Sequence, residues 1–166
     1  MNTIINFFEK QLKEEAAVTR KMLKIVPENK YEWQPHAKSM TLVRLVTHIA
    51  ELPGWIPMGI TTDVLDFSAG DYKPTPISNN DELLRVFEEN QKNALDALSK
   101  TTDEYLQNPW TMKDGDQIFF TITKEDVIRM AISQTIHHRA QLGVFLRLLN
   151  IPIPGSYGPS ADEMGM

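Results

Sequence analysis

The chain has 166 residues, 42% of them hydrophobic and 23% charged, with a formal net charge of −5 and a pI near 5.4. That length suits one domain, 1–166, large enough to bury a core without covalent staples. The absence of Cys excludes disulfides, thiolate zinc sites and cysteine nucleophiles, and an acidic balance without a Lys/Arg cluster argues against nucleic acid as a partner, since phosphates call for a basic surface.

The opening stretch "MNTIINFFEKQLKEE" has no basic n-region and turns charged before any hydrophobic run of signal length. No segment approaches the roughly 20 uninterrupted apolar residues of a membrane span. A cytoplasmic protein with no membrane association is expected. In the same stretch Ile5, Phe8, Leu12, Ala16, Thr19, Leu23 and Val26 recur at three- and four-residue steps, which predicts a first helix stopped by Pro27.

After a connector bearing Pro and aromatic residues, Thr41 is placed to cap a second helix running through Leu45, His48, Leu52 and Trp55, with Pro53 ending or kinking it. The stretch "DFSAGDYKPTPIS" reads as a loop. Ser78, Asn79 or Asn80 caps the third helix, whose inner face carries Leu84, Phe87, Ala94, Leu95 and Leu98. Asp114-Gly115 followed by "QIFFTIT" signals a short β-hairpin. Thr123 then starts a last helix, with Asp126 in a capping-box-like position, running to about Asn150. Four helices with one dominant apolar stripe each predict an all-α four-helix bundle, whose sites are built by side chains leaving facing helices.

The stripe on the last helix is interrupted in its middle: Val127, Ala131, Gln134, His138, Gln141, then Leu142, Phe145 and Leu149. Gln134 and His138 lie one turn apart on one face, whereas His137 is turned about 100° away, toward a neighbouring helix or the rim. On the second helix His48 likewise sits where a leucine would pack better. Burying imidazole or amide unpartnered costs roughly 1–3 kcal/mol per group, so partners are expected. Two alternatives are open. His48, Gln134 and His138 form a facial donor set for a divalent cation, with positions left for water; or the same groups hydrogen-bond to one another and to backbone carbonyls.

Other candidates read more simply. His36 belongs to a connector, Arg139 to the helix surface or to the surroundings of the site, and Glu51 to a solvated ion pair or a proton-transfer role. Trp33, Trp55 and Trp110 read as core anchors.

The strings "YEWQPHAKSMTLVRLVTHIAE" and "HHRAQLGVFLRLLNIPIPGSYGPSADE" resemble the DinB-like superfamily, which includes the YfiT-like proteins. The resemblance runs over nearly the whole chain and is most specific at Trp33 with Pro35, at His48, and at His137-His138-Arg139-x-Gln141. It implies an up-down-down-up bundle, commonly a homodimer, holding a divalent metal such as Zn or Ni through three histidines. Carried over, one falls on His48 and one on His138, while the middle ligand falls on Gln134, where the family has His. The resemblance further implies a metal-dependent transferase using a low-molecular-weight thiol, or a hydrolase, acting on a small molecule. The alternative is a non-enzymatic ligand-binding or stress-response module with a degenerate metal site. No catalytic residue is assigned.

Overall fold

In the computed structural model, which describes residues 3–70 and 73–165, each long helix begins where a side chain satisfies its first N–H groups. Helix α1 (Thr3–Lys24) is capped from a distance: the N–H groups of Ile4 and Ile5 donate to the Asp103 carboxylate at 3.1 and 3.0 Å. Thr41 Oγ1 accepts from the Arg44 N–H at 3.3 Å and opens α2 (Leu42–Glu51). Pro53 sits in a 3-10 turn, Leu52–Gly54, so the chain bends and resumes as the short α3 (Trp55–Thr61).

Of the three residues predicted to cap the next helix, Asn79 does so, accepting from the Glu82 N–H at 2.9 Å at the start of α4 (Asn80–Leu98). Thr123 caps α5 (Lys124–Leu148) by accepting from the Asp126 N–H at 3.1 Å. The helix ends at Leu149 and Asn150, the latter in the left-handed region at φ 58°, a conformation Asn tolerates better than most residues.

The fold is mostly helical but not all-α. The predicted hairpin is present as β2 (Pro109–Asp114) and β3 (Gln117–Thr123), antiparallel and turning through Gly115 at φ 57°. The stretch expected to be plain loop contributes a third strand, β1 (Val64–Asp66), parallel to β2; Asp71 and Tyr72 of that predicted loop lie outside the described residues. Asp66 fastens the strand in place. Its carboxylate accepts from the Ser68 N–H and the Gly115 N–H, each at 3.0 Å, and pairs with Lys113 at 3.2 Å. The Gly115 N–H and the Ser68 hydroxyl, with the Lys113 ammonium, hold it well below the usual carboxylate range. Trp110 and Met112 pack beneath the sheet against Val127 of α5.

Helices α1 and α2 both pack on α4 and on α5. The apolar interior falls into two main clusters. One joins Leu23, Leu45, Ile49, Phe87 and Leu146; the other joins Phe8, Leu12, Ile60, Leu98 and Ile132. Between them each long helix contributes buried polar side chains: Glu15 and Thr19 from α1, Gln91 from α4, and Thr135, His138 and Arg139 from α5. The interruption of the apolar stripe is thus one section of a polar layer across the molecule.

Two details lock α3 to α5. A Cβ on Gly59 would lie 2.5 Å from Val127 Cγ1, so only glycine permits this approach. Lys124 is fully buried, and its ammonium donates to the carbonyls of Gly59 (3.2 Å), Ile60 (3.3 Å) and Thr62 while pairing with Asp63 at 2.8 Å. A cation thereby meets the free carbonyls and negative dipole end of α3. Among the described residues no helix is long and apolar enough to cross a membrane.

Candidate metal or ligand centre between two helices

His48 enters the polar layer from α2 because that helix commits Leu45, Ile49 and Leu52 to the core, and the position three residues after Leu45 shares their side of the helix. His138 enters from α5, 9% exposed, one turn before the buried Leu142. The two rings meet with centroids 4.6 Å apart and planes at 78°.

His138 Nδ1 lies 2.7 Å from Gln141 Oε1. An amide oxygen only accepts, so Nδ1 carries the proton and donates, leaving the lone pair on Nε2. A ligating histidine is commonly oriented in this way by a carbonyl on its other nitrogen. His137 is exposed, with its ring centroid 4.8 Å from that of His138.

Both converging rings are held below the ordinary histidine pKa. For His48 the chief cause is burial, assisted by the positive charges that His138 and Arg44 would bring and opposed by Glu51. For His138 burial again dominates; the Gln141 hydrogen bond works against it and His137 adds to it. The pair is therefore neutral near pH 7, the state in which imidazole ligates metal.

Below the ordinary value of 6.5 the unfolded chain takes up protons that the folded chain does not yet bind, so stability is lost as the pH falls. Melting EDTA-treated protein between about pH 8 and pH 5 should show this decline, and the decline should flatten in a His48→Leu, His138→Leu variant. A melting temperature that rises on acidification, or a slope the substitutions leave unchanged, would contradict the assigned direction.

Gln134 is exposed and lines a different hollow, with Phe120, Ile122, Met130 and His137, toward the sheet. The amide that touches His138 is Gln141's, three residues on. Among the described residues no group of three or more His, Cys, Asp or Glu side chains is arranged to hold a metal ion. The charge state of the pair and the tautomer of His138 suit a cation; the count of strong donors falls short, and a third would have to be an amide oxygen, neutral and weaker than imidazole.

The structure relocates several other side chains. Arg139, expected at the surface or beside the site, is 3% exposed and pairs with Glu15 of α1 at 2.6 Å. Tyr157 joins them, donating to Glu15 at 2.9 Å and accepting from Arg139 at 3.0 Å. Tyr157 is 71% exposed as a residue, but the partial desolvation of its hydroxyl against the ion pair, and after it the Glu15 hydrogen bond, push the phenol's pKa up. One signal of this cluster stood in the sequence: Glu15, three residues after Leu12 and four before Thr19, falls beside Ala16 on the apolar side of α1. Glu51, half-buried, accepts from the N–H and the hydroxyl of Thr75, both at 2.8 Å. Trp110 is a fully buried anchor, whereas Trp33 is half-buried, edge-on to Phe145 with centroids 5.5 Å apart, and Trp55 is half-buried beside His48. His36 is exposed and accepts from the Lys38 N–H.

Beside His48 opens a cavity of about 640 Å³ whose lining includes Arg44, Trp55, Met58, Phe67 and Lys73. Its far side comes from Leu65, Phe67, Lys73 and Thr75, of which Leu65 is held by the β1 pairing with Met112.

The DinB family model matches residues 1–165. The Bacillus subtilis (strain 168) protein YrdA is 25% identical over 170 residues, covering 96% of this chain and 91% of its own. A crystal structure of a DinB-like protein from Bacillus cereus superposes with a TM-score of 0.73 at 21% identity, covering 95% of this chain and all of that one. The mycothiol-dependent maleylpyruvate isomerase superposes with a TM-score of 0.60 at 14% identity, covering 86% of this chain and 64% of that one. At these identities the two structures speak to the fold alone.

Proposed function

Because this chain belongs to the DinB family, we propose that it is an up-down-down-up four-helix bundle holding a divalent cation, zinc, nickel or similar, between α2 and α5. His48 and His138 would be its principal ligands and Gln134 the weaker third. The observation that carries this reading is the meeting of two imidazoles from different helices, 4.6 Å between centroids, inside an otherwise apolar stripe. Such a cation acidifies a bound thiol or water and polarises a neighbouring electrophile. The likeness to a mycothiol-dependent isomerase favours a low-molecular-weight thiol in a transfer reaction; hydrolysis is the alternative chemistry for the same centre.

Burial keeps both imidazoles neutral, the Gln141 carbonyl holds the His138 tautomer, and the cavity beside His48 receives a small molecule. The exposed placement of Gln134 favours a second reading, in which the same pocket serves a non-enzymatic ligand-binding or stress-response role without resident metal.

Metal analysis of the purified protein and melting with EDTA, Zn²⁺ or Ni²⁺ separate the two. At a hundred times its Kd a bound ion stabilises by about 2.7 kcal/mol, or about 5–11 °C for a chain of this size. That shift should vanish in the His48→Ala, His138→Ala variant. Equal melting temperatures in EDTA and in excess metal would leave only the second reading, whereas thiol-transfer activity that survives the double substitution would remove the metal mechanism.

A further inference from the structure

Helix α5 carries a second apolar row, Ile136, Ala140, Val144 and Leu148, set one turn apart. Its last three members are exposed, although so regular a row would ordinarily be buried. The chain builds a wall beside it. Residues 151–165 run alongside the helix and are clasped there by two carboxylates. Asp162 accepts from the Ile153 N–H at 2.9 Å and from Arg147 at 3.0 Å, and Glu163 accepts from the Gly155 N–H at 2.9 Å. Ile153 and Pro154 of this strap, with Met22 of α1, close a trough of about 450 Å³ along the row.

Shape and charge narrow the occupant. The row spans about 18 Å at 1.5 Å per residue, so about 450 Å³ spread over that length leaves a section of about 25 Å². A space about 5 Å across admits one extended hydrocarbon chain, whose atoms touch their neighbours at about 4 Å, and excludes a helix, about 10–12 Å across. Both cations of the lining are neutralised by the protein itself: Arg139 pairs with Glu15 and Arg147 with Asp162. A charged head group would have to take its partner from one of these pairs, which disfavours it against a neutral one. Ser156 brings a hydroxyl to the same lining.

We propose that this trough binds a neutral amphiphile with one extended aliphatic chain, the chain laid along Ala140, Val144 and Leu148 and the head group beside Ser156. The site shares no lining residue with the histidine pair, so it stands or falls independently of the metal reading.

The test titrates full-length protein with 1-hexanol, 1-octanol, octanoate and octylamine at pH 7 while backbone amide shifts are followed by NMR. Octanol should bind about tenfold or more tighter than hexanol, the worth of two further buried methylenes, and tighter than either charged analogue, with shifts centred on residues 136–157. Ala140→Phe, which fills the trough from an exposed position, should abolish octanol binding. Leu148→Gln, at its end, should weaken octanol and spare hexanol. Equal affinities for hexanol and octanol overturn the proposal, as do a charged analogue that binds as tightly as octanol, shifts centred elsewhere, or octanol binding that survives in folded Ala140→Phe protein. Shifts over 136–157 that grow with protein concentration alone, and that octanol does not displace, would give the face to a second copy and overturn it too. The comparisons on unmodified protein decide by themselves, so a variant that fails to fold does not block the test.

Discussion

Replacing Glu15 with Ala should destabilise the protein by about 3–5 kcal/mol, the cost of stranding one member of a buried ion pair. At about 2–4 °C per kcal/mol for a chain of this length, the melting temperature should fall by about 6–20 °C. The reason lies in what Arg139 would have left. Its guanidinium is 3% exposed and pairs with Glu15 Oε2 at 2.6 Å; its remaining partners are the Thr19 hydroxyl, the Glu15 carbonyl and the Tyr157 hydroxyl, all neutral. Replacing both partners by apolar residues of similar volume, Glu15→Leu with Arg139→Met, should recover much of the loss, since such swaps are often near neutral. Tyr157→Phe should cost only about 1 kcal/mol, the net worth of an ordinary hydrogen bond. A Glu15→Ala protein melting within about 1 °C of the parent would show that water reaches the guanidinium and that the layer is not closed.

Gln134→His should raise the affinity for Zn²⁺ or Ni²⁺ by about tenfold or more, about 1.4 kcal/mol, because imidazole is the stronger donor for these ions. The position lies one turn before His138 on α5, the spacing at which two helical side chains reach one point. The measurement is a metal titration followed by melting or by calorimetry, in parent and variant at matched pH. It discriminates sharply, since Gln134 is exposed in a hollow it shares with Phe120 and His137. Unchanged metal affinity in the variant would show that position 134 does not face the pair, and the third-donor assignment would be lost.

Local chemistry accounts for what was legible in the residues. Thr41, Asn79 and Thr123 cap helices by accepting from an N–H three residues on, so a short string of sequence contains the whole interaction. The hairpin is similar: Gly115 adopts the positive φ that the turn needs. The seam also announced itself, because His48 and His138 break apolar stripes whose period reports which side of a helix is buried. The family likeness rested on those same strings, and the family match extends over residues 1–165.

Partners distant in the chain were beyond that reach. Strand β1 is three residues long and pairs with residues 111–113; parallel pairing so short has no local signature. Arg139 looked like a surface charge because its partner Glu15 is 124 positions away, and either residue alone would be expected in water. Two glutamines lay within a turn of His138, four before and three after, and side-chain packing chose Gln141. The cavity's far wall depends on where Phe67 and Lys73 come to rest. Periodicity and capping act within about four residues along the chain, so composition and order settled the helices, their ends and the side each buries. Which buried polar groups meet, and what space remains beside them, depends on how those helices pack, because the partner of an imidazole or a guanidinium is set by close packing in three dimensions.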